Sequence, residues 1–429
     1  MRKLMIAVLI FVSSLVYASE VNMAKIDLKN GGKLVTINRD FTDTVSVVMF
    51  IKGGIFRENI TNNGVGSLFT NVWLKSSDLL DIIEYYGGSL GASVNSDYLE
   101  VSLSIPYEHF SKIADKLNSF INDPVFDEKV FKVEKNIALK SIESIKDNPN
   151  SLAMKNFNKL TYGEFPYGMD TIGTISSVTN LTLEDIKIYY KKNIDASNMV
   201  VSVAGKFSDA DIKGLINIFS KIPKGKKLEI NCAGSELKES KRLEEENSQI
   251  QQAKLYVGFS APSVLDSDYV SLKVLSEIMG GGMSSLFFEK LRKDYGYAYA
   301  VGAFYPSRLC SSRWVGHIGL EYKNVDSSID TMKELLQTVD EKVDEIRIEN
   351  VKNYMVGKIL NDSQTNSKIA WYASFYETMG LGYEFMDQYI DAIKRVNKKD
   401  VIRASNLLKN SKSSIYILKP DVSGDFGKK

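Results

Sequence analysis

The chain has 429 residues, 44% of them apolar and 25% charged, which suits a folded protein of two or three domains with ample core. Its 54 basic and 53 acidic residues balance to a formal charge of +1, so the basic excess of a general nucleic-acid binder is missing. Histidine is scarce: only His109 and His317 occur, far apart in sequence, which excludes a zinc site built on a short histidine pair.

The first residues are Met1-Arg2-Lys3, an apolar run from Leu4 to Val12, and a serine-containing stretch that reaches the small residue Ala18. A cationic start, a short apolar core and a small residue predict a bacterial-type secretory signal cleaved after Ala18. The run is shorter than the roughly 20 residues that cross a bilayer, so no stable membrane anchor is expected after cleavage. The protein is therefore expected in the periplasm or the medium, and its mature chain would carry 52 basic against 53 acidic residues. Cys232 and Cys310 could bond in an oxidising compartment, but two cysteines in so long a chain are expected to be unpaired.

In chain order, Val45 to Ile51 is a compact apolar run and reads as a buried strand. Val65 to Leu74 and Asp78 to Tyr86 have helical patterning, the second stopped by Gly87-Gly88. Leu99, Val101, Leu103 and Ile105 alternate with polar residues, the mark of a half-buried strand. Phe126 to Ile145 reads as a longer helix ending before Pro149, and Thr182 with Asp185 forms an acidic capping signal for the next. Met199 to Ala204 is again a compact apolar strand.

Residues 225–246 are polar and aperiodic, a connector. Beyond it the pattern restarts. Strands are expected at Leu255 to Phe259, Tyr297 to Phe304, Trp314 to Glu321 and Ile415 to Leu418, and helices at Tyr269 to Met279, Ser284 to Lys293 and Ile329 to Val339. Leu183-Glu184-Asp185-Ile186 before the Met199 strand has a counterpart in Lys398-Lys399-Asp400-Val401-Ile402 before the last strand. The expected fold class is α+β: two similar α/β domains, 19–224 and 247–429, joined by a linker at 225–246 and preceded by the signal at 1–18.

Gly87-Gly88-Ser89-Leu90-Gly91 matches the G-x-S-x-G pattern of serine hydrolases, but its order is helix, turn, strand rather than strand, turn, helix, so it reads as a helix stop. Gly280-Gly281-Gly282 lacks both the lysine of a phosphate-binding loop and a preceding strand, and reads as a tight helix-to-helix connection. His109 is expected at the start of a surface helix, and His317 on a sheet face or in the core.

The segment Gly64-Val65-Gly66-Ser67-Leu68-Phe69-Thr70-Asn71-Val72, between a strand and a glycine stop, resembles the pitrilysin (insulinase) zinc-peptidase family, in its mitochondrial-processing-peptidase-like branch. That family carries His-x-x-Glu-His on a helix, where two imidazoles one turn apart hold zinc and the carboxylate activates water. Here those positions are Ser67, Thr70 and Asn71. The family's third ligand is a glutamate on a later helix. The upstream glutamate of that pattern is present as Glu134, but the ligand position seven residues on is Ser141, with Glu143 on another face. The resemblance thus implies a member with no catalytic residue and no metal of its own.

Gly280 through Tyr299 resembles the family's C-terminal domain, with Leu286 replacing the usual arginine before the Leu-Phe pair. Arg292 and Tyr299 match an arginine and a tyrosine, seven apart, that in the family contact the bound peptide and its reacting carbonyl. By themselves they read as a solvated helix residue and a strand residue packed in the core.

The resemblance covers about residues 24–420 and implies two processing-peptidase-like half-clamshell units. It also implies an exported, non-catalytic subunit that binds peptide and closes a chamber against a zinc-bearing homologous partner. The rival expectation is a homodimeric peptide-binding or scaffold protein with no part in hydrolysis. A hydrolase with relocated catalytic residues is disfavoured by the histidine count.

Overall fold

A computed structural model describes residues 22–421; the expected signal segment lies outside the described residues. These residues form two sheets. The first comprises β1 (Asn22–Asp27), β2 (Lys33–Asn38), β3 (Thr44–Lys52), β4 (Ser89–Val94), β5 (Tyr98–Pro106) and β6 (Met199–Gly205), in the order β1-β2-β6-β3-β5-β4. The second comprises β7 (Lys241–Asn247), β8 (Ala253–Ala261), β9 (Ala298–Phe304), β10 (Ser312–Leu320) and β11 (Ser413–Pro420), in the order β7-β11-β8-β10-β9.

Removing β1 leaves two sheets of one topology. β2 pairs parallel with β6 as β7 does with β11, and the remaining pairs in both are antiparallel. The expected duplication of an α/β unit is therefore the architecture. The expected strands and most helices fall within a few residues of their places. Thr182 caps the Leu183–Asn193 helix through a reciprocal bond with Asp185, and Asn397 with Asp400 does the same before the Lys398–Lys409 helix.

The halves are interlocked. Helix Pro149–Tyr162 leaves the first half and packs on β11 and β8 of the second sheet. Its Phe157 stacks on Tyr256 and presses on Gly258, where a Cβ would stand 2.4 Å from the ring. In return, helix Asn366–Met379 of the second half covers β3 and β6. Ser374 Oγ donates to the Val48 carbonyl at 3.0 Å, and Asn366 Nδ2 to the Thr44 carbonyl at 2.9 Å. The cause lies in the strands. β3 and β6 are buried on both faces, so each face needs an apolar cover, and only one is supplied by the first half's own helices. Val35, Ile37, Val48 and Phe50 consequently share one core with the second half.

Four expectations need correction. The connector at 225–246 ends in strand β7, none of whose side chains is buried; an edge strand facing water lacks the apolar alternation that betrays a buried one. The helix expected from Ser284 begins at Leu286, after Ser285, whose hydroxyl accepts from the Phe288 N–H at 3.4 Å, and it widens into a π-helix over Phe288–Asp294. Tyr299 does not pack in the core: it is 79% exposed.

Cys232 and Cys310 are bonded across 78 residues, their Cα atoms 5.2 Å apart. The expectation that they stay unpaired fails because the connector folds back along the 305–311 loop. There Cys310 is buried and its N–H donates to the Tyr167 hydroxyl at 3.1 Å. Tyr167 in turn donates to the buried Asp97 carboxylate at 2.5 Å, with Arg308 stacked on its ring. Nearby Arg313, fully buried, donates to the Ser235, Ser312 and Thr161 carbonyls and to the Thr161 hydroxyl, tying connector, β10 and the exchanged helix together.

Candidate functional site

Helix Val65–Lys75 carries the three residues that stand where the family has its metal-binding motif. Its amphipathic spacing buries Leu68, Phe69, Val72 and Trp73 in the first core. Its N-terminus is held by a residue the sequence reading passed over, Glu58. The N–H groups of Gly64 and Gly66 donate to the two Glu58 carboxylate oxygens at 2.8 and 3.1 Å, and Asn63 Nδ2 donates at 3.0 Å. A carboxylate against the positive end of a helix is the expected cap. Gly66 permits it, since a Cβ there would stand 2.7 Å from Glu58 Oε1.

Burial opposes those three donors and wins, pushing the Glu58 carboxyl up to about 7. A native pKa above the unfolded one means the native state holds a proton that the unfolded chain has released. That stabilisation is complete below about pH 4.5 and is lost as pH rises through about 7, a swing of roughly 3 kcal/mol. Glu58→Gln is expected to flatten the stability profile between about pH 5 and about pH 8 by that amount. Urea denaturation at the two pH values measures it, and parallel profiles for the two proteins would remove Glu58 as the titrating group.

Two of the three motif positions spend their hydroxyls on the fold. Ser67 Oγ donates to the Thr171 carbonyl at 2.7 Å, and Thr70, buried, donates to the Ser67 carbonyl at 2.9 Å. Asn71 is half-buried on the same helix. Helix Glu128–Ser144 packs alongside and places Ser141 on its exposed face, where its carbonyl accepts from Ser144. Among the described residues no group of three histidine, cysteine or carboxylate side chains could hold a metal ion. Two hydroxyls committed to backbone carbonyls, an amide and a solvent-facing serine do not fit a zinc ion, which takes imidazole, thiolate or carboxylate. Instead, Lys75 Nζ donates to the buried Glu134 carboxylate at 2.8 Å, so an ion pair bridges the two helices.

In the second half, Arg292 lies on the π-helix and Tyr299 on β9, the edge strand of its sheet. The fold brings them together: the Arg292 guanidinium sits 5.7 Å from the Tyr299 ring centroid and 4.9 Å from that of Phe288, with both Arg292 and Tyr299 open to solvent. Gly280, Gly281 and Gly282 end helix Tyr269–Gly280. A Cβ at Gly280 would meet the Ala303 N–H nitrogen at 2.0 Å, so glycine there serves the close approach of helix and β9, whereas Gly282 faces open space.

The two histidines are held by aromatic neighbours. His109, at a short Tyr107–Phe110 turn of helix, stacks on Tyr86 at 4.2 Å. His317, on β10, lies between Tyr256 and Phe304, where burial lowers its pKa.

Residues 33–175 match the description insulinase (peptidase family M16), and residues 180–355 match peptidase M16 inactive domain. A Bacillus subtilis relative named uncharacterized zinc protease YmxG is 24% identical over 401 residues, covering 91% of this chain and 97% of the relative. A Helicobacter pylori relative named non-peptidase homolog YmxG is 21% identical over 363 residues, 82% of this chain and 83% of the relative. Among solved structures, a peptidase M16 inactive domain from Pseudomonas fluorescens superposes with TM-score 0.84 at 19% identity, covering 94% of this chain and 98% of that one. A Helicobacter pylori protease superposes with TM-score 0.85 at 18% identity, covering 93% of this chain and 100% of that one. With both halves matched in order and its zinc-motif positions occupied by serine, threonine and asparagine, the chain belongs to the insulinase (M16) peptidase family as an inactive-type homologue.

Proposed function

We propose that this protein is the exported, metal-free subunit of a peptidase complex, binding peptide and completing the chamber of a zinc-bearing homologous subunit. One contrast carries the reading: the zinc-motif positions hold serine, threonine and asparagine, with both hydroxyls committed to backbone carbonyls, while Arg292 and Tyr299 stand side by side and exposed. Carrying such donors without a metal makes chemical sense when the reacting carbonyl is presented by another chain, since oriented donors stabilise a developing oxyanion wherever its metal originates. The unpaired side of β9 offers backbone N–H and C=O groups to an extended peptide, which would run past Tyr299. The Cys232–Cys310 bond supports an oxidising compartment and therefore export.

The test is reconstitution. The purified mature protein is mixed with a homologue bearing an intact His-x-x-Glu-His motif. The expected result is a one-to-one complex with one zinc, borne by the homologue, that cleaves peptides faster than the homologue alone. Stoichiometric zinc and chelator-sensitive cleavage by this protein alone would overturn the proposal. A stable self-dimer that ignores the homologue would overturn it in favour of a binding or scaffold role.

A further inference from the structure

The duplicated helices differ in where they carry charge: the second has two ionisable residues one turn apart within its length. Val65–Lys75 and Tyr269–Gly280 are counterparts: each follows its sheet's long central strand and packs on the edge strand, β4 or β9. In the first, the fifth and ninth residues are Phe69 and Trp73, both fully buried, their rings 5.1 Å apart. In the second, the same positions counted from the helix start are Lys273 and Glu277, and a cavity of about 380 Å³ opens beside them. Two ionisable groups one helical turn apart, both half-buried, thus face a cavity on the inner side of the second helix.

The cavity has an aromatic wall and a polar floor. Helix Asn366–Met379 contributes Trp371, Tyr372 and Phe375 to the wall. On the floor, Lys273 Nζ donates once, to the Tyr305 carbonyl at 2.6 Å, and makes no ion pair among the described residues, leaving N–H donors unspent. Ser276, one helical turn along and only 5% exposed, has a hydroxyl with no hydrogen-bond partner. The ionisable groups around the cavity sum to a net positive charge: Lys273, Lys358 and Lys368 against Glu277 and Asp362, and Asp362 is engaged by the Tyr372 hydroxyl. Burial lowers the Lys273 pKa to about 8, which leaves the ammonium largely charged at neutral pH and short of an anion.

We infer that this cavity binds a carboxylate attached to an aromatic group, the carboxylate meeting Lys273 and Ser276 and the ring meeting the edges of Trp371 and Tyr372, over whose faces the Lys368 ammonium stands. The C-terminal aromatic residue of a peptide and a free aromatic amino acid share this chemistry. The site needs no partner chain, so its test is independent of the chamber proposal.

Trp371 supplies the signal, because the other two tryptophans, Trp73 and Trp314, are fully buried elsewhere in the cores. The full-length mature protein is titrated with N-acetyl-phenylalanine, N-acetyl-phenylalaninamide and phenylalanine while its tryptophan emission is followed. The acid is expected to change the emission saturably and the amide to bind at least tenfold more weakly, the factor a charge-assisted hydrogen bond supplies. Lys273→Met, which keeps the helix and its volume, should weaken acid binding about tenfold or more, and Ser276→Ala several-fold, without lowering the melting temperature. Binding of the acid but not of phenylalanine assigns a peptide terminus; equal binding of both assigns the free amino acid. Acid and amide binding alike, no saturable response to the acid, or an indifferent Lys273→Met protein would overturn the inference.

Discussion

Changing Arg292→Ala and Tyr299→Phe together is expected to lower peptide cleavage by the reconstituted pair by about a hundred- to a thousandfold, chiefly in kcat. The magnitude is that of losing fixed donors to an oxyanion in a water-poor site. The loss should fall on kcat because such donors act on charge that develops only in the transition state. Both side chains are open to solvent and their mutual contact is a cation–π approach of 5.7 Å, so the variant should denature within about 0.5 kcal/mol of the parent. A merely structural role would reverse that order, lowering stability and leaving kcat unchanged. Steady-state kinetics on the mixed subunits, with denaturation of this subunit alone, separate the two. An unchanged kcat would remove Arg292 and Tyr299 from the chamber.

The second large effect concerns folding. Cys232→Ser is expected to cost roughly 4 kcal/mol, the loop entropy restored to the unfolded chain when a closure of this length is released. The bond closes a loop of 78 residues that contains β7, β8, helix Tyr269–Gly280, the π-helix and β9, so the reduced chain regains freedom over most of the second sheet. It also holds the connector against Cys310, beside the buried Asp97–Tyr167–Arg308 group where the halves meet. Urea denaturation of the variant, and of the parent with reductant, should give matching midpoints, both well below that of the oxidised parent. A variant within about 1 kcal/mol of the oxidised parent would show that the crosslink adds nothing to the fold.

The second prediction depends on a contact between segments distant in sequence, whereas what was legible beforehand was local. The apolar run Val45 to Ile51 and the alternation from Leu99 to Ile105 state their burial in the order of their residues, and both are strands with those faces inward. Thr182 with Asp185 announces a helix start because a capping box is completed within three residues. The departures at Ser67, Thr70, Asn71 and Ser141 were equally legible, since a residue's ability to bind zinc is written in its side chain.

Glu58 was missed although its place before a helix start could have marked it as a cap; the turn between Glu58 and Gly64 hid the relation. Lys273 and Glu277, one turn apart in an otherwise apolar helix, were a readable anomaly whose meaning appears only with the cavity beside them.

The amino-acid order alone therefore determined the places of the most strongly patterned strands and helices, that the unit is duplicated, and that the metal-ligand positions carry no competent donor. Each of these depends on periodicity, on caps that close within one turn, or on the chemistry of single side chains. Tertiary structure decided the exchange of helices between the halves, the bond between Cys232 and Cys310, the exposure of Tyr299 beside Arg292, and the cavity over Lys273. These depend on which face of a doubly buried sheet remains uncovered and on what chain returns to cover it, a partnership that spacing along the chain does not encode.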